Sequence, residues 1–536
     1  MNTQDKTQEE KKQTTAGDDD KEITKSLAKV GKGASLLFIG TMLGMVFGFF
    51  MRVVIARFYS VEDYGIFNLY YSFLLIFGSV GALGLRDGLN RYIGYYTGKR
   101  EEEKIASTIK WGIIIGVISG ILLGALLIFT SQYIAPILSE DPNFVFYLRV
   151  VGITTPFLVI FNVIISIFRG FERAKERIIF SSLGRQSLIL IAVSIVGLMA
   201  LPFEILIIAV SVAIIVITIA LYIYYRKKIK NFVTKSTDYF QNSQIGKNLL
   251  LFSLPLLLVS IMAKVMGYTD TLMLAYFETE AEVGLYNAAK PISRLIKTGL
   301  TVSIFIYQPL VSKLYAQKKY EENEVIYTSL AKWISFLTLP MALCFIFFPR
   351  VVLSVFGEGY GIAASTLQVL AIMYFIRNVA GPFHSTLIGY GKSKFVMYVN
   401  STSAFLNVLA NLILIPIYGV LGAAIATGLT SVLVGTIIKS IKVYKLTGIH
   451  ILKSSILKPV ILTSLIGILV GLIIKRVLVI NVFLLGVMFF VFTFIFFLMM
   501  VLTNSISKYD INILTMVEKK TGLDLKRLKN LLKKFS

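Results

Sequence analysis

Three basic residues stand four and then three positions apart in the stretch A-K-P-I-S-R-L-I-K: Lys290, Arg294 and Lys297. A helix advances about 100° per residue, so all three fall within about 60° on one face. Like charges so placed repel unless water or an anion lies among them, and a phosphate is the anion such a wall would hold. Pro291 interrupts the backbone beside Lys290 and would bend the helix or free a carbonyl. The plainer alternative is a solvated loop segment. Five further cations, Arg52, Arg149, Arg185, Lys264 and Arg377, also lie within apolar spans, against one acid, Asp270, apart from Glu204 at a span edge. Each costs roughly 2.5–3.5 kcal/mol at the centre of a membrane helix. Arg52 and Arg149 sit near enough to span ends to snorkel, whereas Lys264 and Arg294 lie too deep. Asp270 is expected to pair with Lys264 or Arg294, and a coupling proton or Na⁺ is the other role open to it.

Other constellations point to little chemistry. His384 and His450 are too few and too far apart to suggest a metal site, and Cys344, the one cysteine, has no intrachain partner. G-Y-G-K-S-K at Gly389 lacks the spacing of a phosphate-binding P-loop. Glu62 with Asp63 could suggest a metal-dependent glycosyltransferase, but Ala281 with Glu282 occupies the equivalent place in a repeat, so the pair belongs to loop architecture. No nucleophile–base arrangement is visible. Neither an enzyme nor a bound cofactor is expected.

The elements that carry these residues are membrane helices. The 536 residues are 56% apolar with a mean hydropathy of +0.76, too apolar for a soluble chain of this size. Fourteen spans are expected near 34–56, 66–85, 111–130, 147–168, 178–200, 204–225, 248–276, 284–308, 329–349, 363–388, 395–416, 419–438, 459–475 and 480–503. Of the 54 Lys and Arg, the N-terminal tail and every second connection, counting Lys332 at a span edge, hold 42. The connections between them, counting Lys475 at a span edge, hold 4, which predicts a cell-membrane protein with both termini cytoplasmic. The net charge of +24 thus lies where anionic lipid is, and nucleic acid is not the expected partner.

Residues 1–33 lack an apolar core and read as a disordered cytoplasmic tail, with the first span as an uncleaved insertion signal. Residues 34–225 form an expected six-helix lobe, 226–247 a basic cytoplasmic linker and 248–443 a second six-helix lobe. The seventh span carries Pro255, Lys264 and Asp270 and is expected to kink or break. A repeat supports the division. Ala56 to Asn68 (A-R-F-Y-S-V-E-D-Y-G-I-F-N) matches Ala275 to Asn287 (A-Y-F-E-T-E-A-E-V-G-L-Y-N) at an offset of 219 residues. The same offset pairs Arg169–Lys175 with Ile388–Lys394. Six spans is an even number, so the two bundles share an orientation and should flank a central cleft about an axis along the membrane normal. Residues 444–503 add two helices. In the tail 504–536, Leu525, Leu528, Leu532 and Phe535 are flanked by Lys526, Arg527, Lys529, Lys533 and Lys534, which reads as an amphipathic helix on anionic membrane lipids.

The fourteen spans, the six-plus-six repeat and the A-x-F…G-[IL]-[FY]-N turn after the first and seventh spans resemble one family across residues 25–503. It is the polysaccharide and oligosaccharide-lipid exporters of the multidrug/oligosaccharidyl-lipid/polysaccharide transporter superfamily. The resemblance implies an all-α, two-lobed flippase that moves polyprenyl-diphosphate-linked glycans to the outer leaflet by alternating access. Arg52, Lys264, Lys290, Arg294 and Lys297 are then the expected diphosphate ligands. Lipid II flippases of this superfamily carry cations deeper in the first helix, where this chain has Met45 and Met51. An organic-cation exporter of the same fold should line its cleft with carboxylates, and a membrane glycan polymerase or glycosyltransferase would need large external loops. These are the second and third readings.

Overall fold

The computed structural model describes residues 39–233, 243–450, 453–477, 479–507 and 510. The N-terminal tail 1–33, part of the expected linker and the amphipathic helix at Leu525–Phe535 lie outside the described residues. Among the described residues there is no strand, and twelve helices are long and apolar enough to cross a membrane.

The helices are α1 (Ile39–Phe58), α2 (Val61–Val80), α3 (Leu85–Gly98), α4 (Glu102–Leu138), α5 (Phe144–Gly170) and α6 (Ala174–Arg177). Then come α7 (Arg185–Leu198), α8 (Phe203–Val233), α9 (Ser243–Phe277), α10 (Glu280–Ala316), α11 (Tyr320–Phe347) and α12 (Pro349–Leu353). The last six are α13 (Ala364–Val379), α14 (Phe383–Gly389), α15 (Ser393–Leu429), α16 (Lys439–Thr447), α17 (Ser454–Val477) and α18 (Val482–Leu502). Two π-helices, Ile178–Gly184 and Thr430–Ile438, lead into α7 and α16. The expected eighth span lies on α10, which is not among the twelve. One continuous apolar stretch, Ser393–Thr447, carries the expected eleventh and twelfth spans across a kink at Gly419, where φ is 55°. α9 is hydrogen-bonded as one helix through Pro255, and α8 continues to Val233 beyond its expected end at 225.

Contacts group the chain into two compact units. Unit 1 takes the described residues to Val54 together with Phe73–Gln132 and Val145–Lys264; unit 2 takes Ile55–Ser72, Tyr133–Phe144 and Val265 onward. This division runs elsewhere than the boundaries drawn from hydropathy, for a local reason. The two repeat turns pack on each other inside unit 2. A Cβ on Gly65 would meet the Glu280 carbonyl oxygen at 1.8 Å, and one on Gly284 would meet that of Val61 at 2.2 Å. Only glycines permit so close an approach of backbones. The Tyr64 hydroxyl donates to the Asn287 carbonyl at 3.1 Å, and Ser139 Oγ donates to Glu280 at 2.7 Å. Asn68 and Asn287, equivalent in the repeat, each donate a side-chain N–H to the carbonyl four residues back. Asp63, one of the external acidic pair, closes a capping box with Ser60 at the start of α2.

In unit 1, Leu85, Leu89 and Ile93 of α3 pack with Ile109 of α4, Phe161 and Ile164 of α5, Leu221 of α8 and Leu249 of α9 in one buried apolar cluster. That cluster fixes the ends of the helices around the cavity described next. In unit 2, Lys332 of α11 is buried against Asp510, whose other carboxylate oxygen takes the Trp333 indole N–H at 3.0 Å. The pair ties the segment after α18 to α11.

Candidate functional site

Unit 1 contains a cavity of about 350 Å³ that draws five cations from four helices and a helix junction: Arg86, Arg169, Arg177, Arg185 and Lys264. The chain positions each by a local device. α2 stops at Val80, and Gly84 turns the chain into α3 with φ 70°, a left-handed conformation that favours glycine. A Cβ there would lie 2.1 Å from the Ser253 carbonyl oxygen of α9, so the turn is seated on α9 and Arg86 follows two residues later. Arg169 comes from the last turn of α5. Arg177 and Arg185 bracket the first π-helix. Eight residues of α-helix would separate them by about 80° around the axis. The wider π turn, with its i→i+5 hydrogen bonds, brings them nearer one face. Lys264 reaches the cavity from α9.

These cations have little to neutralise them. Lys264 lies within electrostatic reach of Arg185 and Arg86, and Arg177 within reach of Arg169 and Arg86. Asp87 approaches Arg169 at 3.6 Å, and both side chains are substantially exposed. The Arg185 guanidinium stands over the Phe161 ring at 5.4 Å, and its Nε is buried without a hydrogen-bond partner. Ser79, Ser166, Ser181, Ser260 and Asn162 supply the polar remainder of the wall. Such a set has the chemistry to hold an oxyanion: guanidiniums offer paired N–H donors and keep their charge, and hydroxyls can complete the shell.

The residues singled out from sequence do not meet in one place. Lys264 lines the cavity. Arg52 is half-buried on α1 and is not part of its lining. Lys290 is buried in unit 2, with Nζ 3.0 Å from Asp270 Oδ2 and 3.2 Å from the Gly267 carbonyl oxygen. Asp270 therefore takes Lys290, rather than Lys264 or Arg294, as its partner. The same carboxylate accepts from the Tyr286 hydroxyl at 2.7 Å, Asn411 Nδ2 at 3.0 Å and Thr427 Oγ1 at 2.9 Å, so both oxygens are fully engaged. Lys297 lies 3.6 Å from the centroid of the Tyr374 ring, and Arg294 is exposed on α10. Arg86, Arg169 and Arg177 escape a hydropathy reading because they fall in polar connections. The density of basic residues around the R-G-F-E-R-A-K repeat signals Arg169 and Arg177, and no sequence signal marks Arg86.

Twelve candidate membrane spans among the described residues and a basic cavity in one unit define a polytopic helical membrane protein. The family model for polysaccharide biosynthesis proteins matches residues 30–315, and that for MatE transporters matches residues 255–413. The chain belongs to the polysaccharide biosynthesis protein family, within the multidrug/oligosaccharidyl-lipid/polysaccharide transporter superfamily. An uncharacterized membrane protein of Methanocaldococcus jannaschii is 24% identical over 429 residues, covering 74% of this chain and 81% of that protein. Among solved structures, the lipid II flippase MurJ in an inward closed conformation aligns with a TM-score of 0.67 and 14% identity, over 87% of this chain and 97% of MurJ. An inward-facing multidrug MATE transporter aligns at 0.61 and 15%, over 78% of this chain and 98% of that one. At such identities the likeness concerns the fold.

Proposed function

We propose that this protein is a flippase that carries a polyprenyl-diphosphate-linked oligosaccharide or polysaccharide precursor from the inner to the outer leaflet of the cell membrane by alternating access. The observation that carries the reading is the unit 1 cavity, with five cations on its wall and one exposed carboxylate beside them. A diphosphate is the headgroup that such a wall neutralises, while a polyprenyl tail needs only hydrocarbon. Arg86, Arg169, Arg177, Arg185 and Lys264 hold the diphosphate in this account; of the set expected from sequence it keeps Lys264. Lys290 pairs with Asp270, and Arg52, Arg294 and Lys297 are not among the residues that line the cavity. Arg86, Arg169 and Arg177 flank connections that the charge asymmetry assigns to the cytoplasm, so the cavity takes its ligand from the inner leaflet. An inside-negative potential then drives an anion outward by about 2.3 kcal/mol per charge per 100 mV.

The organic-cation reading needs a carboxylate free to receive a cation. The buried Asp270 carboxylate already accepts from four side chains, one of them an ammonium. The test is a flipping assay in proteoliposomes with a labelled polyprenyl-diphosphate sugar, comparing wild type with Arg185→Gln/Lys264→Gln. Wild type is expected to expose the label outside and the double variant to fail. Equal flipping by both would remove the diphosphate from this cavity. Flipping by neither would reopen the choice of substrate.

A further inference from the structure

Unit 2 holds a second group of cations that the reading above does not use. Arg377 of α13, His384 of α14 and Lys439 at the start of α16 lie within electrostatic reach of one another. Lys297 lies within reach of Arg377. Lys439 is 3% exposed, yet its ammonium has a neutral partner, Asn400 Oδ1, at 2.6 Å. Arg377 has five N–H donors and, among the described residues, makes one long hydrogen bond, to Ser431 Oγ at 3.5 Å. Among the described residues no carboxylate forms a salt bridge with either. The contrast is with the other two buried lysines of unit 2, Lys290 and Lys332, each of which has its aspartate. Ser440 and Ser385, next to Lys439 and His384 along the chain, have buried hydroxyls without partners. The π-helix Thr430–Ile438 places Ser431 and Lys439 at its two ends, as the other π-helix does with Arg177 and Arg185. A half-buried guanidinium with unused donors and a buried ammonium, neither with an acid among the described residues, are stable in the membrane only when something anionic or water joins them.

We propose that Arg377, Lys439 and His384, with Ser431, form a second oxyanion-binding site lying wholly within unit 2. The guanidinium takes two oxygens of the group side by side, as it does for carboxylates and phosphates. Lys439 supplies the second charge. Two chemical sources fit, the carboxylate of a uronic-acid residue in a glycan and a diphosphate. Neither depends on the unit 1 cavity, so this site stands or falls apart from the flippase reading.

The test uses the purified full chain in detergent with one engineered thiol, Ser431→Cys, in a Cys344→Ala background. Maleimide labelling of that thiol is timed with and without a water-soluble uronic-acid tetrasaccharide, a neutral tetrasaccharide of the same size, and inorganic pyrophosphate. The expected result is labelling slowed by more than about tenfold by at least one anionic probe and unchanged by the neutral one. Protection by the uronic-acid probe alone assigns the site to the glycan, and protection by pyrophosphate alone to the diphosphate; protection by both assigns it to either group. Arg377→Gln/Lys439→Gln should abolish protection, and Arg377→Lys/Lys439→Arg should keep part of it. A thiol that does not label, labelling indifferent to both anions, or protection that survives the double Gln change would overturn the site.

Discussion

Lys264 on α9 and Lys290 on α10 are the same side chain on successive helices of the chain, and they do opposite things. Lys264 opens into a cavity beside Arg86 and Arg185, where among the described residues no carboxylate forms a salt bridge with it. Lys290 is closed into a network in which one carboxylate meets an ammonium, a phenol, an amide and a hydroxyl. The difference lies in the partner and not in the cation. A third case completes the lesson. Glu282, ahead of the expected span on α10, is pushed from an ordinary 4.5 up to about 7 by partial burial and by the neighbouring Glu278. Like-charged carboxyls relieve their repulsion by keeping a proton. Guanidiniums cannot shed theirs, so a cluster of them must recruit an anion.

The contrast breaks most sharply at Asp270. Asp270→Asn leaves the buried Lys290 ammonium without its carboxylate, and should cost about 3–5 kcal/mol of stability. Asp270→Leu with Lys290→Met removes both charges and should restore most of it. Thermal unfolding in detergent reads both; an Asp270→Asn protein as stable as wild type would show that the network is not closed. Next in size, Arg185→Gln removes one charge-assisted contact to the proposed diphosphate, about 1.5–3 kcal/mol, and should reduce flipping roughly 10- to 100-fold. Its unfolding temperature should stay at the wild-type value, because no carboxylate in unit 1 loses a partner.

Gly65→Ala tests whether the packing of unit 2 can be disturbed without touching the basic cavity. The new methyl collides with the Glu280 carbonyl and should cost about 1–3 kcal/mol. Gly284→Ala should do the same from the other side. Binding of pyrophosphate to the unit 1 cavity, followed by calorimetry on the folded fraction, should be unchanged in both. The smallest effect is on pH dependence. Glu282 binds its proton more tightly folded than unfolded, so its stabilisation is complete below its ordinary 4.5 and is lost as the pH rises to about 7. Unfolding temperatures followed from about pH 5 to about pH 8 should fall less steeply in Glu282→Gln than in wild type.

Much of the fold was legible because hydropathy and charge act over whole segments. Twenty apolar residues must span a bilayer whatever their neighbours do, and the repeat at 219 residues marks Gly65 and Gly284 without showing that they touch. The site was legible only in kind. The face formed by Lys290, Arg294 and Lys297 is correct helical geometry, but helical spacing cannot say which of the three finds Asp270 twenty residues earlier. Arg86, Arg169 and Arg177 were counted with the cytoplasmic connections, since a hydropathy window ends before they begin. In the structure they extend from helix ends and a tight turn into the cavity wall.

By itself, then, the sequence determined a polytopic helical membrane protein, a turn repeated at an offset of 219 residues and an excess of cations over acids. These follow from summed quantities, namely apolar length, charge count and internal periodicity. Which cations remain open to a ligand was decided by tertiary structure alone. An ammonium is neutralised or left exposed by contacts of about 3 Å between distant helices, as Lys290 and Asp270 show at 3.0 Å. No spacing along one helix encodes that distance.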